Sequence, residues 1–353
     1  MKKAADYQYS MLSSISCSPG ITSFNNEFKI YNKKILIFGG TGSLGNKFNE
    51  KYIENNIICN FSRDEHKHWK MRLKFKSHKN LKFIIGNVSD KYKVNETIKR
   101  IKPDIIIIAS AMKHIEQCEI HTSESLKTNL IGTQNILDSI EDNLNLLTNL
   151  KVTIFVSTDK ACSPINNYGM AKALSETLMI EKAHYIKNVK FVNVRYGNVL
   201  NSNGSIIPRL HNMGQNIDYS EFYLTHKDMT RFVMTLEQSV SLIEHAIING
   251  DSGDTVISEL LSMKVKDLIE IFSEKYNKPY KITGLRSGEK LLESLINETQ
   301  SGRIEKHGKF THIKSVFSYK KTIDASNLRD YNSTINPLTK QELKDYLIKL
   351  KLL

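Results

Sequence analysis

Ile35-Leu36-Ile37-Phe38-Gly39-Gly40-Thr41-Gly42-Ser43-Leu44-Gly45 joins a short apolar run to glycines spaced G-x-x-G-x-x-G at Gly39, Gly42 and Gly45. The apolar run reads as a buried strand, and the stretch Leu44 to Glu54 that follows reads as a helix. Glycine between strand and helix lets backbone amides approach a pyrophosphate, whose charge then faces the helix N-terminus.

Outward from this turn the alternation repeats. Strands are predicted at Ile57 to Phe61, Leu81 to Ile85, Ile105 to Ala109, Val152 to Val156 and Val189 to Val194, separated by segments of helical length. Continuous apolar strands with helical crossovers predict an α/β fold, a doubly wound parallel Rossmann-type sheet whose ligand crevice lies at the strand carboxyl ends. Residues 1–32 lack periodicity and are expected to form an extension. Residues 33–197 are expected to form the dinucleotide-binding domain, and 198–353 mainly a smaller substrate-binding lobe with the C-terminal region. In that lobe, helices are predicted near Leu236 to Ile248 and Val265 to Tyr276.

At 353 residues the chain is long enough to bury a core without disulfide or metal staples. Hydrophobic residues at 40% and charged residues at 25% exclude wholesale disorder. No apolar run approaches the roughly 20 residues of a membrane helix, so a cytoplasmic protein with no membrane partner is expected. Cys17, Cys59, Cys118 and Cys162 are scattered, and His66, His68, His114 and His121 form no ligand set, so reduced thiols and no metal are expected. Fifty Lys and Arg against 37 Asp and Glu give a net charge of +13. These lysines are interleaved with acids throughout, which favours an anionic small ligand over nucleic acid.

After the second strand comes Phe61-Ser62-Arg63-Asp64-Glu65. Arg63 can pair bidentately with a ribose 2′-phosphate while Ser62 donates a hydrogen bond, so NADP is expected in preference to NAD. After the fifth strand come Ser157-Thr158-Asp159-Lys160 and then Tyr168-Gly169-Met170-Ala171-Lys172. Tyr168 and Lys172, one helical turn apart, share a face, which lets the ammonium depress the phenol's pKa and hold a ribose.

Together with Met112-Lys113-His114, Thr128 to Thr133, Arg195 to Val199, Met229 to Phe232 and Gly284 to Lys290, these motifs resemble the extended short-chain dehydrogenase/reductase family. The likeness runs from Lys34 to about Glu293 and is strongest to its inverting UDP-N-acetylglucosamine 4,6-dehydratases. The resemblance implies a UDP-sugar partner and a homo-oligomer. It implies that Gly39, Thr41, Gly42, Ser43, Leu44, Gly45, Ser62, Arg63, Asn87, Val88, Ala109, Lys113, Tyr168 and Lys172 hold the cofactor. It also implies that Lys113, Asn198, Val199, Thr225, Arg231, Arg286 and Glu289 face the sugar nucleotide. Two positions depart from the pattern: Asn87 stands where the family usually has Asp, and Asn203 where an arginine is common.

The chemistry so implied begins with Tyr168 taking the C4 hydroxyl proton as hydride leaves C4, which acidifies C5. Lys160 then takes the C5 proton, given burial or a nearby cation to lower its pKa, while a protonated Asp159 donates to the departing C6 hydroxyl. Rival readings are a UDP-sugar 4-epimerase, a UDP-glucose 4,6-dehydratase, and a non-catalytic NADP-sensing or nucleic-acid-binding protein.

Overall fold

The computed structural model describes residues 29–319 and 328–353, so nearly all of the expected extension lies outside the described residues. Six strands, β1 Lys34–Phe38, β2 Ile57–Ser62, β3 Leu81–Ile85, β4 Ile105–Ile108, β5 Val152–Thr158 and β6 Lys190–Tyr196, run parallel in the order 3-2-1-4-5-6. This is the doubly wound Rossmann-type order. Thr255–Ser258 adds a seventh parallel strand beside β6, and the antiparallel hairpin Ile304–His307 and Phe310–Ile313 completes the edge.

The strands form here because β-branched residues suit a sheet covered on both faces. In β4 all four isoleucines are at most 1% exposed. Ile35, Ile37, Ile105, Ile107, Val152 and Ile154 pack on one face with Phe48 and with Val240, Ile243 and Ile247 of the helix Leu236–Asn249. Leu36, Phe38, Ile106, Ile108 and Phe155 pack on the other with Val94, Ile98, Ile136, Leu137, Ile140 and Met179. Each such burial contributes about 2 kcal/mol.

Beyond Gly197 the chain serves both parts of the molecule. A second sheet combines Asn198–Val199, Thr230–Met234, Leu261–Lys264 and Pro337–Leu338. A separate core around Phe222, Leu268, Phe272, Leu343 and Leu347 supports it, with helices Val265–Tyr276 and Lys340–Lys349 packed together. Helix Leu236–Asn249 and strand Thr255–Ser258, however, return to the large sheet. The boundary drawn at residue 197 is therefore crossed again, because the apolar face of that helix covers the sheet and not the lobe.

Candidate active site

A cleft of about 990 Å³ opens at the carboxyl ends of the parallel strands. Its floor is the glycine turn. Gly39 has φ +84°, and a Cβ there would meet the Ser110 nitrogen at 2.6 Å; a Cβ on Gly45 would lie 1.9 Å from the Gly40 carbonyl oxygen. Only glycine satisfies both places. The helix Ser43–Tyr52 starts at Gly42 without a side-chain cap, so its first N–H groups stay available to an anion. This cradle fits a dinucleotide pyrophosphate.

The walls follow from local bonding. Thr41 and Ser62 share a 2.9 Å hydrogen bond between hydroxyls, and Ser62 meets His68 Nε2 at 2.7 Å. Burial holds His68 below the usual imidazole range. Asp64 caps helix Glu65–Lys74 by accepting from Lys67 N at 3.0 Å, so its carboxylate is engaged beside the exposed Arg63. The segment after β4 is held by Asn129, which accepts from Met112 N at 2.8 Å and donates to Met112 O at 2.9 Å. Asn129 lies in a π-helical turn, Lys127–Ile131, a local widening common at functional sites. Across the cleft, Lys113 Nζ donates to Asn203 O at 2.6 Å and Asn203 N donates to Ser43 Oγ at 2.9 Å.

At the end of β5 the chain makes a 3-10 turn, Asp159–Ala161, and helix Asn167–Tyr185 packs directly upon it. The approach is so close that a Cβ on Gly169 would meet Lys160 O at 2.3 Å. Asn166 caps the helix by accepting from Gly169 N at 2.7 Å, which sets Tyr168 beside the turn. Asp159 is 1% exposed; its Oδ1 accepts from Lys160 Nζ at 2.8 Å and from Thr158 Oγ1 at 3.0 Å, while its buried Oδ2 has no hydrogen-bond partner among the described residues.

The electrostatics correct two expectations. Burial pulls the Lys160 amine down, but the carboxylates of Asp159 and Glu293 outweigh it and hold the amine above the usual lysine range. Burial, reinforced by the Asp159 carboxylate, pushes the Tyr168 phenol up, with a hydrogen bond from Thr158 opposing it. The ammonium expected to depress the phenol belongs to Lys172, which is 1% exposed, lies 3.8 Å from the Phe155 ring centroid, and is lowered to about 7 by burial.

Gly39, Thr41, Gly42, Ser43, Leu44, Ser62, Arg63, Asn87, Val88, Ala109, Lys113, Lys160, Tyr168, Lys172, Asn198 and Val199 all line the cleft. Gly45 instead seats the helix on the turn, and Asp159 stands behind Lys160. Four residues expected at the sugar are engaged elsewhere. Arg231, buried, donates to the carbonyls of Thr230, Leu291 and Lys290 at 2.7, 3.2 and 2.9 Å. Arg286 pairs with Glu289, and Thr225 Oγ1 donates to Met229 Sδ at 3.5 Å. Conversely, the sequence reading gave Glu293, His68 and Asn166 no role at the site. The available signal for Glu293 was an acid inside the apolar stretch Leu291-Leu292-Glu293-Ser294-Leu295-Ile296.

Residues 35–315 match the model of a family described as polysaccharide biosynthesis protein. A protein named UDP-glucose 4-epimerase from Rickettsia bellii is 34% identical over 338 residues, spanning 90% of this chain and 96% of its own. One named UDP-N-acetylglucosamine 4,6-dehydratase (inverting) from Campylobacter jejuni is 36% identical over 281 residues, spanning 77% of this chain and 80% of its own. The crystal structure of Pen from Bacillus thuringiensis superposes with a TM-score of 0.83 at 28% identity, over 92% of this chain and all of that one. Since the match runs from β1 through the outer hairpin, the chain belongs to the polysaccharide-biosynthesis family of extended short-chain dehydrogenases/reductases, as an enzyme of the nucleotide-sugar dehydratase and epimerase group.

Proposed function

We propose that the protein is a C5-inverting UDP-N-acetylglucosamine 4,6-dehydratase that uses NADP. The observation that carries this reading is the Asp159–Lys160 pair at the end of β5, its amine lining the same cleft as Tyr168, an acid and an amine near a phenol. Bound NADP would supply hydride acceptance at C4 and hydride return at C6. Thr41 to Leu44 and Lys172 would hold its phosphates and ribose, and Arg63, with Asp64 committed to its cap, would take the 2′-phosphate.

Tyr168, once its phenol has given up its own proton, takes the C4 hydroxyl proton. Proton transfer across the 2.8 Å bond from Lys160 Nζ to Asp159 Oδ1 breaks an N–H bond and forms an O–H bond. The pair thereby becomes neutral amine and neutral acid without loss of a proton. In that form Lys160 takes the proton from C5, and Asp159 donates to the C6 oxygen as water leaves. The charged resting pair thus stores the base and the acid of the elimination together.

Incubating the purified protein with NADP and UDP-N-acetylglucosamine should give a product lighter by one water. Lys160→Ala should abolish exchange of the C5 proton with solvent; exchange that persists would overturn the role given to the lysine. A second reading, a UDP-sugar 4-epimerase, is favoured by the resting state itself, in which Lys160 is an ion-pair partner and not a base. A product of unchanged mass and inverted C4 would establish it.

A further inference from the structure

Glu293 precedes the strand Ser294–Ile296 and is 1% exposed. Its Oε1 stands 3.6 Å from Lys160 Nζ and its Oε2 3.6 Å from Lys290 Nζ, and among the described residues Oε2 accepts no hydrogen bond. A carboxyl taken from water without full hydrogen bonding is costly, and a glutamate in an apolar stretch would ordinarily turn outward. Here the backbone prevents that: Glu293 N donates to Ser333 Oγ at 3.1 Å and Glu293 O accepts from Ser333 N at 2.8 Å. The side chain is thus held inward, against the amine of the Asp159–Lys160 pair.

We propose that Glu293 is a positioning residue for Lys160, a second carboxyl that holds the amine in place and sets the pH at which it gives up its proton. Its part in turnover rests on the dehydratase reading above; its hold on the amine does not. With Asp159 and Glu293 both ionised, moving the Lys160 proton onto Asp159 strips Glu293 of one of its two cations and is opposed. With Glu293 protonated, the same transfer meets no such opposition, and burial does push the Glu293 carboxyl up. The charged and titratable groups facing this centre are Asp159 on the same turn, Arg231 on the strand Thr230–Met234, Lys290 before Glu293, and Tyr168 and Lys172 on the helix packed above. Arg231 is committed to the carbonyls of Thr230, Leu291 and Lys290.

Lys160 lines the cleft with 14% of its side chain exposed, so a small acylating reagent reaches it. Competitive acetylation with acetic anhydride across a pH series, read at Lys160 by mass spectrometry, measures its titration in the full-length protein without any substrate. Glu293→Gln, nearly isosteric, should lower the Lys160 midpoint by about one pH unit or more, which is about tenfold faster labelling below both midpoints. Glu293→Asp, with its carboxylate one methylene further back, should lower it by less. The limb of the kcat–pH profile that follows Lys160 should move in parallel while the KM for the sugar nucleotide holds. Circular dichroism verifies each fold, and should the Gln variant not fold, the Asp variant must still lower the midpoint. An unmoved midpoint in a folded variant overturns the proposal. Failure of all three proteins to dehydrate UDP-N-acetylglucosamine would instead strike the dehydratase reading and leave the labelling result standing.

Discussion

The glycine turn that floors the cleft is made of backbone, whereas the segments expected around the sugar carry long charged side chains already engaged with carbonyls and carboxylates of the protein. The glycine turn brings up the uncapped first N–H groups of the helix Ser43–Tyr52, whose positions follow from the strand, the turn and the helix start. On the other side, Arg231 is tied to carbonyls and Arg286 to Glu289. Cations that serve the protein's own acids and carbonyls must exchange partners before they can serve a ligand. The difference separates a preformed anion site from one assembled on binding.

Gly45→Val is the severest way to break that contrast. Its Cβ would fall 1.9 Å from a backbone oxygen that cannot retreat without moving the turn. We expect a stability loss of about 1–3 kcal/mol or more and loss of dinucleotide retention on gel filtration. Retention with normal affinity would show that the cradle is not the phosphate site. Arg63→Ala sharpens the contrast, because it removes a side chain from the half made of backbone. The KM for NADP should rise by about tenfold or more while that for NAD stays close to wild type, and equal changes would remove Arg63 from the 2′-phosphate.

The strands and the glycine cradle were legible because their signals are local. Four isoleucines in β4 demand burial on both faces, and the helix Val265–Tyr276 announces itself by one apolar stripe. The engagement of Arg231 was not legible, since carbonyls of Lys290 and Leu291 leave no mark on sequence near residue 231. The same distance hid the state of Lys160. Burial pulls the amine down as expected, but Asp159 on its own turn raises it, and Glu293, brought from the segment before the strand Ser294–Ile296, adds to that rise. Tyr168 and Lys172 were placed correctly on one helix face, but the ammonium stacks on Phe155, a partner fixed by the sheet.

Lys172 offers a test of burial on the backbone side through pH. Its pKa in the folded protein, about 7, lies below its unfolded value near 10.4. Between those values the unfolded chain binds the extra proton, so this lysine's contribution to stability is complete above the unfolded value and is lost as pH falls toward 7. Denaturant unfolding of the wild type should therefore gain stability between about pH 7 and 10 relative to Lys172→Met. Parallel curves would show that the amine keeps its proton in the folded state.

Arg286→Ala should give the smallest effect and bears on the other half alone. Arg286 is half exposed and Glu116 is exposed, while Glu289, 10% exposed, keeps the hydrogen bond from Arg286 N at 3.1 Å when the guanidinium is removed, so losing the ion pairs costs little. We expect stability to change by no more than about 0.5 kcal/mol. If the sugar nucleotide recruits this guanidinium on binding, the KM for it rises several-fold while kcat holds, because the exchange of partners belongs to binding and not to the proton transfers at Lys160. A marked loss of stability would mean that the charged side chains form a rigid frame like the glycine turn, and the contrast between the two halves would fail. An unchanged KM would instead leave Arg286 as a fastener of its own loop, and the diphosphate would have to find its cations at Lys113 and the cleft floor.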